Sequence, residues 1–103
     1  MEVTIPLFAK QLCDGYGIED IRKVYAKTYA GPIVTYVDGM YQDGFVSAHS
    51  MAGKDGMQIS VFGNEDRILL CAVYDNLGKG ASGAAIQCMN MVLGIDKTTG
   101  LVL

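Results

Sequence analysis

Three glycines, Gly78-x-Gly80-x-x-Gly83, follow an apolar run and open a helical stretch. In that arrangement the backbone amides at a helix start can cradle a dinucleotide pyrophosphate. The chemistry also needs a closed βαβ unit, with an acidic residue about 20 positions further on. Only nine residues follow Gly94, so within these residues the unit does not close. The alternative is steric: Gly80, Ala81, Ser82, Gly83, Ala84, Ala85 and Cys88 give one side of the helix no bulky group, which allows close backbone approach by another element. His49 is the single histidine, and its neighbours Ala48 and Ser50 offer no carboxylate or thiolate for a general base or metal site. It is expected in a loop or half-buried. Cys13 sits near a turn without the basic neighbour or helix N-terminus that would lower its pKa. Cys71 and Cys88 fall in an apolar strand and an apolar helix and are expected in the core.

The elements that must position these residues can be read from periodicity. Val3, Ile5, Leu7 and Ala9 alternate within a strand expected over 2–12, and Pro6 removes a ladder donor, which implies a free edge. Asp14-Gly15-Tyr16-Gly17 is a turn. Ile18, Ile21, Val24, Tyr25 and Tyr29 then recur at helical spacing, with acids early and bases late, up to Gly31-Pro32. A short β-branched strand is expected over 33–37. Residues 38–56 read as loop with an extended stretch at Phe45-Val46. Met57 to Phe62 alternates, residues 63–66 turn, and Arg67 to Tyr74 is nearly continuously apolar. That pair predicts a hairpin whose second strand is central and covered on both faces. A last helix is expected from about Ala81 to Leu93, closed by Gly94 at C′. The order predicts an α+β fold with a mixed sheet.

Composition limits what such a fold can do. Charged residues make up 18% of the 103 residues and glycines number 13, against about 25% and about 7% in ordinary soluble domains. Surface hidden against something else is therefore expected. Eight Lys and Arg against eleven Asp and Glu, scattered along the chain, give no nucleic-acid footprint. Five of the six tyrosines (Tyr25, Tyr29, Tyr36, Tyr41, Tyr74) suit a core or an interface. No window reaches the ~20 apolar residues of a membrane span, and three unpaired-looking cysteines fit a reducing cytoplasm.

The ordered identities Asp75-Asn76-Leu77-Gly78-Lys79-Gly80-Ala81-Ser82-Gly83, continuing through Ala85, Gln87 and Asn90 to Gly94 and Thr98-Thr99-Gly100-Leu101, resemble the C-terminal signature of the N-acetyl-gamma-glutamyl-phosphate reductases. Ala84, where that family commonly has Gln, and Gly53-Lys54-Asp55, where it has Gly-Thr-Asn, depart from the pattern. The resemblance implies the C-terminal piece of an enzyme that reduces N-acetyl-glutamyl phosphate to the semialdehyde with NADPH, in arginine synthesis, through a thioester on a cysteine. None of Cys13, Cys71 and Cys88 follows the Pro-Gly pair of that nucleophile, and the family's histidine precedes the residues that resemble Met1 to Ile5. Neither catalytic nor metal residues are therefore expected here. The resemblance divides the chain into 1–75, part of a second, catalytic and dimerisation domain, and 76–103, a turn and helix that return to a nucleotide-binding domain. It implies that Asn76 lies near the nicotinamide end of NADP, that Gly80 and Ala81 allow backbone approach, and that Lys79 is a weaker contact. As a simple reading, Asn76 is a turn or helix-capping residue. The expected partners are the nucleotide-binding domain and further copies of the chain, with no nucleic acid and no membrane. A freestanding binding or oligomerisation module is the alternative, and a small nucleotide-binding protein a third.

Overall fold

The computed structural model describes residues 1–41 and 43–103, so Gln42, within the expected loop, lies outside the described residues. The elements are β1 (Glu2–Phe8), a 3-10 turn (Ala9–Gln11), α1 (Ile18–Thr28), β2 (Val34–Tyr36), β3 (Met57–Gly63), β4 (Arg67–Tyr74), a π-helical turn (Gly78–Ser82) and α2 (Gly83–Leu93). They form an α+β fold around one mixed sheet in the order β1-β4-β3-β2. β4 is central and antiparallel to both β1 and β3, and β2 runs parallel to β3. Pro6 lies on the edge strand β1, where a missing N–H donor is tolerated.

The hairpin register runs from Met57 opposite Tyr74 to Gly63 opposite Ile68. Gly63 has φ of 117°, and a Cβ there would stand 2.1 Å from the Arg67 carbonyl oxygen, so no other residue fits. The Asn64 side-chain oxygen accepts the N–H groups of Asp66 and Arg67, both at 2.9 Å, and fixes the turn from within.

The two-residue side-chain period sorts the strands into two faces. On one, α1 packs Ile18, Ile21 and Tyr25 against Val61, Ile68, Leu70, Leu7 and Tyr36. Tyr25 meets Tyr29 and Tyr36 edge-on, with centroids 5.4 and 6.5 Å apart. On the other face, the Tyr41 ring lies 5.4 Å from that of Phe62, and Ser60, Cys71 and Val73 are buried.

Several expectations change. β1 ends at Phe8, because the chain turns into the 3-10 segment where Leu12 N–H reaches the Ala9 carbonyl. α1 ends at Thr28, before Gly31-Pro32, and Val24 is 58% exposed because 24 lies around the helix from the Ile18–Ile21–Tyr25 stripe. The extended stretch at Phe45-Val46 shrinks to one bridging residue, Phe45. β4 is central but incompletely covered: Leu69 is exposed on one face, and beside it Val3 and Ile5 of β1 are exposed on the other. Cys71 is buried as expected, whereas Cys88 is exposed.

That last difference follows from where α2 goes. Its substantial packing is with the π-helical turn before it, not across the sheet. The molecule is accordingly long and thin, 42 × 31 × 17 Å, with a radius of gyration of 15.1 Å, against about 13 Å for a compact chain of this size. Gly94 takes the left-handed conformation (φ 68°) and closes the helix as expected. Residues 95–103 fold back along α2. Asn90, 2% exposed in the middle of an apolar helix, donates its side-chain N–H to the Thr99 carbonyl at 2.8 Å. α2 and this tail form an arm.

Candidate functional site

The turn between β4 and the arm is organised by one carboxylate. Asp75 accepts the backbone N–H groups of Gly53 (2.7 Å), Leu77 (2.7 Å) and Gly78 (3.0 Å). Three donors converge on it as they would on a phosphate oxygen. The π-helical turn then uses up the next amides internally, Gly80 N–H to the Asp75 carbonyl at 2.9 Å and Ser82 N–H to the Leu77 carbonyl at 3.0 Å. The amides of Leu77, Gly78, Gly80 and Ser82 are therefore already taken within the chain.

The glycines serve close approach, and the approaching element belongs to the same chain. A Cβ on Gly78 would lie 2.3 Å from the Lys54 carbonyl oxygen, and one on Gly83 would lie 2.3 Å from Asp55 Oδ1. Gly80 is looser, its nearest neighbours being the Tyr74 ring at 3.2 Å and the Asp75 carbonyl oxygen at 3.3 Å. Asp55 also holds the tail: its N–H donates to the Val102 carbonyl (2.6 Å) and its Oδ2 accepts the Val102 N–H (2.9 Å).

The residues singled out by the resemblance end up close together at the base of the arm. Asn76 and Ala81 are exposed, and Gly80 lies between them in the turn. Among the described residues, no hydrogen bond takes up the Asn76 carboxamide. Lys79 is half-buried and donates to Gln87 Oε1, so its charge is directed along the helix. The Asn76 carboxamide thus keeps both its donor and its acceptor side open to solvent. His49 stands exposed in the turns over 48–53, away from any cluster of metal-ligating side chains among the described residues.

The small-residue side divides in two. Gly83, Ile86 and Asn90 face inward, to Asp55 and to the tail. Ala81, Ala85, Cys88, Met89 and Val92 recur at helical spacing and are all exposed, Val92 at 87%. The outward face is thus apolar along its whole length, small at the base and bulkier at the tip. The roles of Asp55 and Asp75 escaped sequence reading, although Asp followed closely by Gly is an Asx-turn signal. Asn90 carried a clearer signal, since an amide inside an apolar helix must find a partner.

The three amide donors, Gly53 first, then Gly78 and Leu77, hold the Asp75 carboxyl below its ordinary range. Asp96 is lowered likewise by the Thr98 hydroxyl and N–H. A carboxylate depressed on folding contributes stability above its unfolded pKa, and that contribution is lost as pH falls through the folded value. Acidification below about pH 4 is therefore expected to loosen the arm. Thermal melts of the Asp75→Asn chain should show a lower midpoint at pH 7 and a shallower fall on acidification than wild type. An unchanged acid slope would exclude this role.

A four-stranded mixed sheet carrying one packed helix and one projecting helix defines an α+β module of the kind found as the second domain of semialdehyde dehydrogenases. No protein-family model matches the chain. Among curated proteins, the N-acetyl-gamma-glutamyl-phosphate reductases of Brucella ovis, Brucella canis and Brucella abortus are each 42% identical to it over 99 residues. The match covers 91% of this chain and 32% of each relative, so the chain spans about a third of their length. The chain is a relative of the C-terminal part of N-acetyl-gamma-glutamyl-phosphate reductase.

Proposed function

We propose that this chain works as the C-terminal part of an NADPH-dependent reductase that converts N-acetyl-glutamyl phosphate to the semialdehyde in arginine synthesis. Its task there is to present α2 to a nucleotide-binding domain. The observation that carries this reading is the outward face Ala81–Ala85–Cys88–Met89–Val92, apolar, exposed and held clear of the sheet. A helix that packs mainly on the turn before it and leaves an apolar face in water is built to bury that face elsewhere. Small side chains at its base let a partner backbone come close to Asn76, whose carboxamide then orients the nicotinamide. Bound there, NADPH supplies the hydride. The residues of this chain position the cofactor and exclude water, and the nucleophile and the proton donor come from other residues.

A second exposed surface, Val3 and Ile5 on the sheet beside Tyr29 at the end of α1, suits contact with another copy, and we place the assembled protein in the cytoplasm as a homo-oligomer. No helix among the described residues is long and apolar enough to cross a membrane.

The direct test is a chimera. Replacing the matching C-terminal segment of the Brucella ovis reductase with this chain is expected to give NADPH oxidation dependent on N-acetyl-glutamyl phosphate, whereas the isolated chain gives none. Turnover by the isolated chain, or a folded chimera without activity, would overturn the reading.

A further inference from the structure

We infer that Asp55 is a positioning residue that sets the angle at which α2 projects from the sheet. Its use rests on the function proposed above; its geometry does not. Because α2 packs mainly on the turn before it, strand packing does not fix that angle. The segment Lys54-Asp55 instead wedges between sheet and arm, with the Lys54 carbonyl oxygen against Gly78 and the Asp55 carboxylate against Gly83.

Asp55 touches the arm at two distant points. Beyond Oδ1 at Gly83, the Cβ and Cγ of Asp55 each lie 2.8 Å from where a Gly83 Cβ would sit, and two hydrogen bonds join Asp55 to Val102. The two points are themselves linked, because Asn90 of α2 donates to the Thr99 carbonyl in the tail. One contact would leave the arm free to swing about it. Two contacts joined by a third bond close a triangle of fixed shape, and the Asp75 turn, which ties Gly53 to Leu77 and Gly78 at the end of β4, holds that triangle against the sheet. The base of that triangle continues into β3 through Gly56, whose Cβ position is 3.4 Å from the Ile33 carbonyl oxygen, so the arm is referenced to the sheet through this short segment.

The chain carries its own probes. Cys13 and Cys88 are exposed, one next to the core-packed Leu12 and one on α2, and Cys71 is buried. Spin labels on Cys13 and Cys88 of the whole chain, with their separation measured by pulsed dipolar spectroscopy, are expected to give one narrow distance. Asp55→Asn, which keeps an oxygen for the Val102 N–H, should preserve it. Asp55→Gly should broaden the distribution, Gly83→Ala should displace its mean, and the two together should shift it no further than Asp55→Gly alone. A distribution in Asp55→Gly as narrow and as centred as wild type, with Cys71 still protected from thiol reagents, overturns the inference. If Asp55→Gly exposes Cys71, Gly83→Ala decides: a displaced mean supports the inference and an unmoved one overturns it. No nucleotide domain enters this measurement. An inactive chimera whose arm still depends on Asp55 would refute the proposed function alone, and an active chimera with an Asp55-independent arm would refute this inference alone.

Discussion

Replacing both Met89 and Val92 with aspartate is expected to reduce turnover of the chimera by about 100-fold or more while leaving the unfolding midpoint of the isolated chain nearly unchanged. Both side chains are exposed, at 53% and 87%, so in the chain alone each aspartate stays in water and disturbs no packing. In the docking proposed above, the nucleotide-binding domain covers the same positions. Two carboxylates taken out of water without partners then oppose docking by several kcal/mol in all, and about 2.7 kcal/mol already corresponds to 100-fold. The loss should appear mainly in kcat if a displaced helix misplaces the nicotinamide, because misorientation weakens the transition state more than substrate capture. Two results would sink the assignment of this face: full activity in the double variant, or a collapse of the isolated chain's stability equal to the loss of activity.

Local rules made much of this arrangement legible in the sequence. The hairpin, with its alternating β3 and its glycine at the turn, lies where periodicity put it, because both strands bury side chains against α1 and the register leaves one face for each. Gly94 closed α2 where a left-handed residue was needed. What escaped was long-range. Cys88 and Val24 look like core residues by type, and only the projection of α2 and the width of the α1 stripe put them outside. Gly78 and Gly83 are close-packing residues, as their spacing suggests, but their partner is Lys54-Asp55 of the same chain, 23 or more positions earlier, in a stretch without periodicity. The Asp75 node is hidden for the same reason: one of its three donors, Gly53, comes from that loop. Nothing in a linear pattern shows which backbone amides a carboxylate will collect. The candidate cofactor residues came from resemblance, and the structure brings Asn76, Gly80 and Ala81 together while turning Lys79 away toward Gln87.

Ile68→Ala is expected to destabilise the chain by about 3 to 4 kcal/mol, the middle of the range for truncating a buried isoleucine. Ile68 is fully buried at 0% exposure and packs with Ile18 and Val61 at the centre of the α1 face. Its cross-strand neighbour on β3 is Gly63, which has no side chain and is locked by its positive φ and by the Arg67 carbonyl. Ile68 therefore fills the space of both positions, and the surrounding strand cannot collapse into the hole it leaves. A chain of about 100 residues has some 5 to 15 kcal/mol in total, and one that leaves an apolar helix face and part of its sheet in water lies toward the low end. Truncating Ile68 removes much of that margin, whereas Val24→Ala, at an exposed position, should cost under about 0.5 kcal/mol. Urea titration gives the first measure. Cys71 gives the second: its burial raises the thiol pKa and keeps it protonated and shielded, so it reacts only when the sheet opens. In the limit where opening is fast, the labelling rate follows the open population, and 3 kcal/mol raises that population by about 150-fold. A labelling rate within a few-fold of wild type would show that the core does not depend on Ile68.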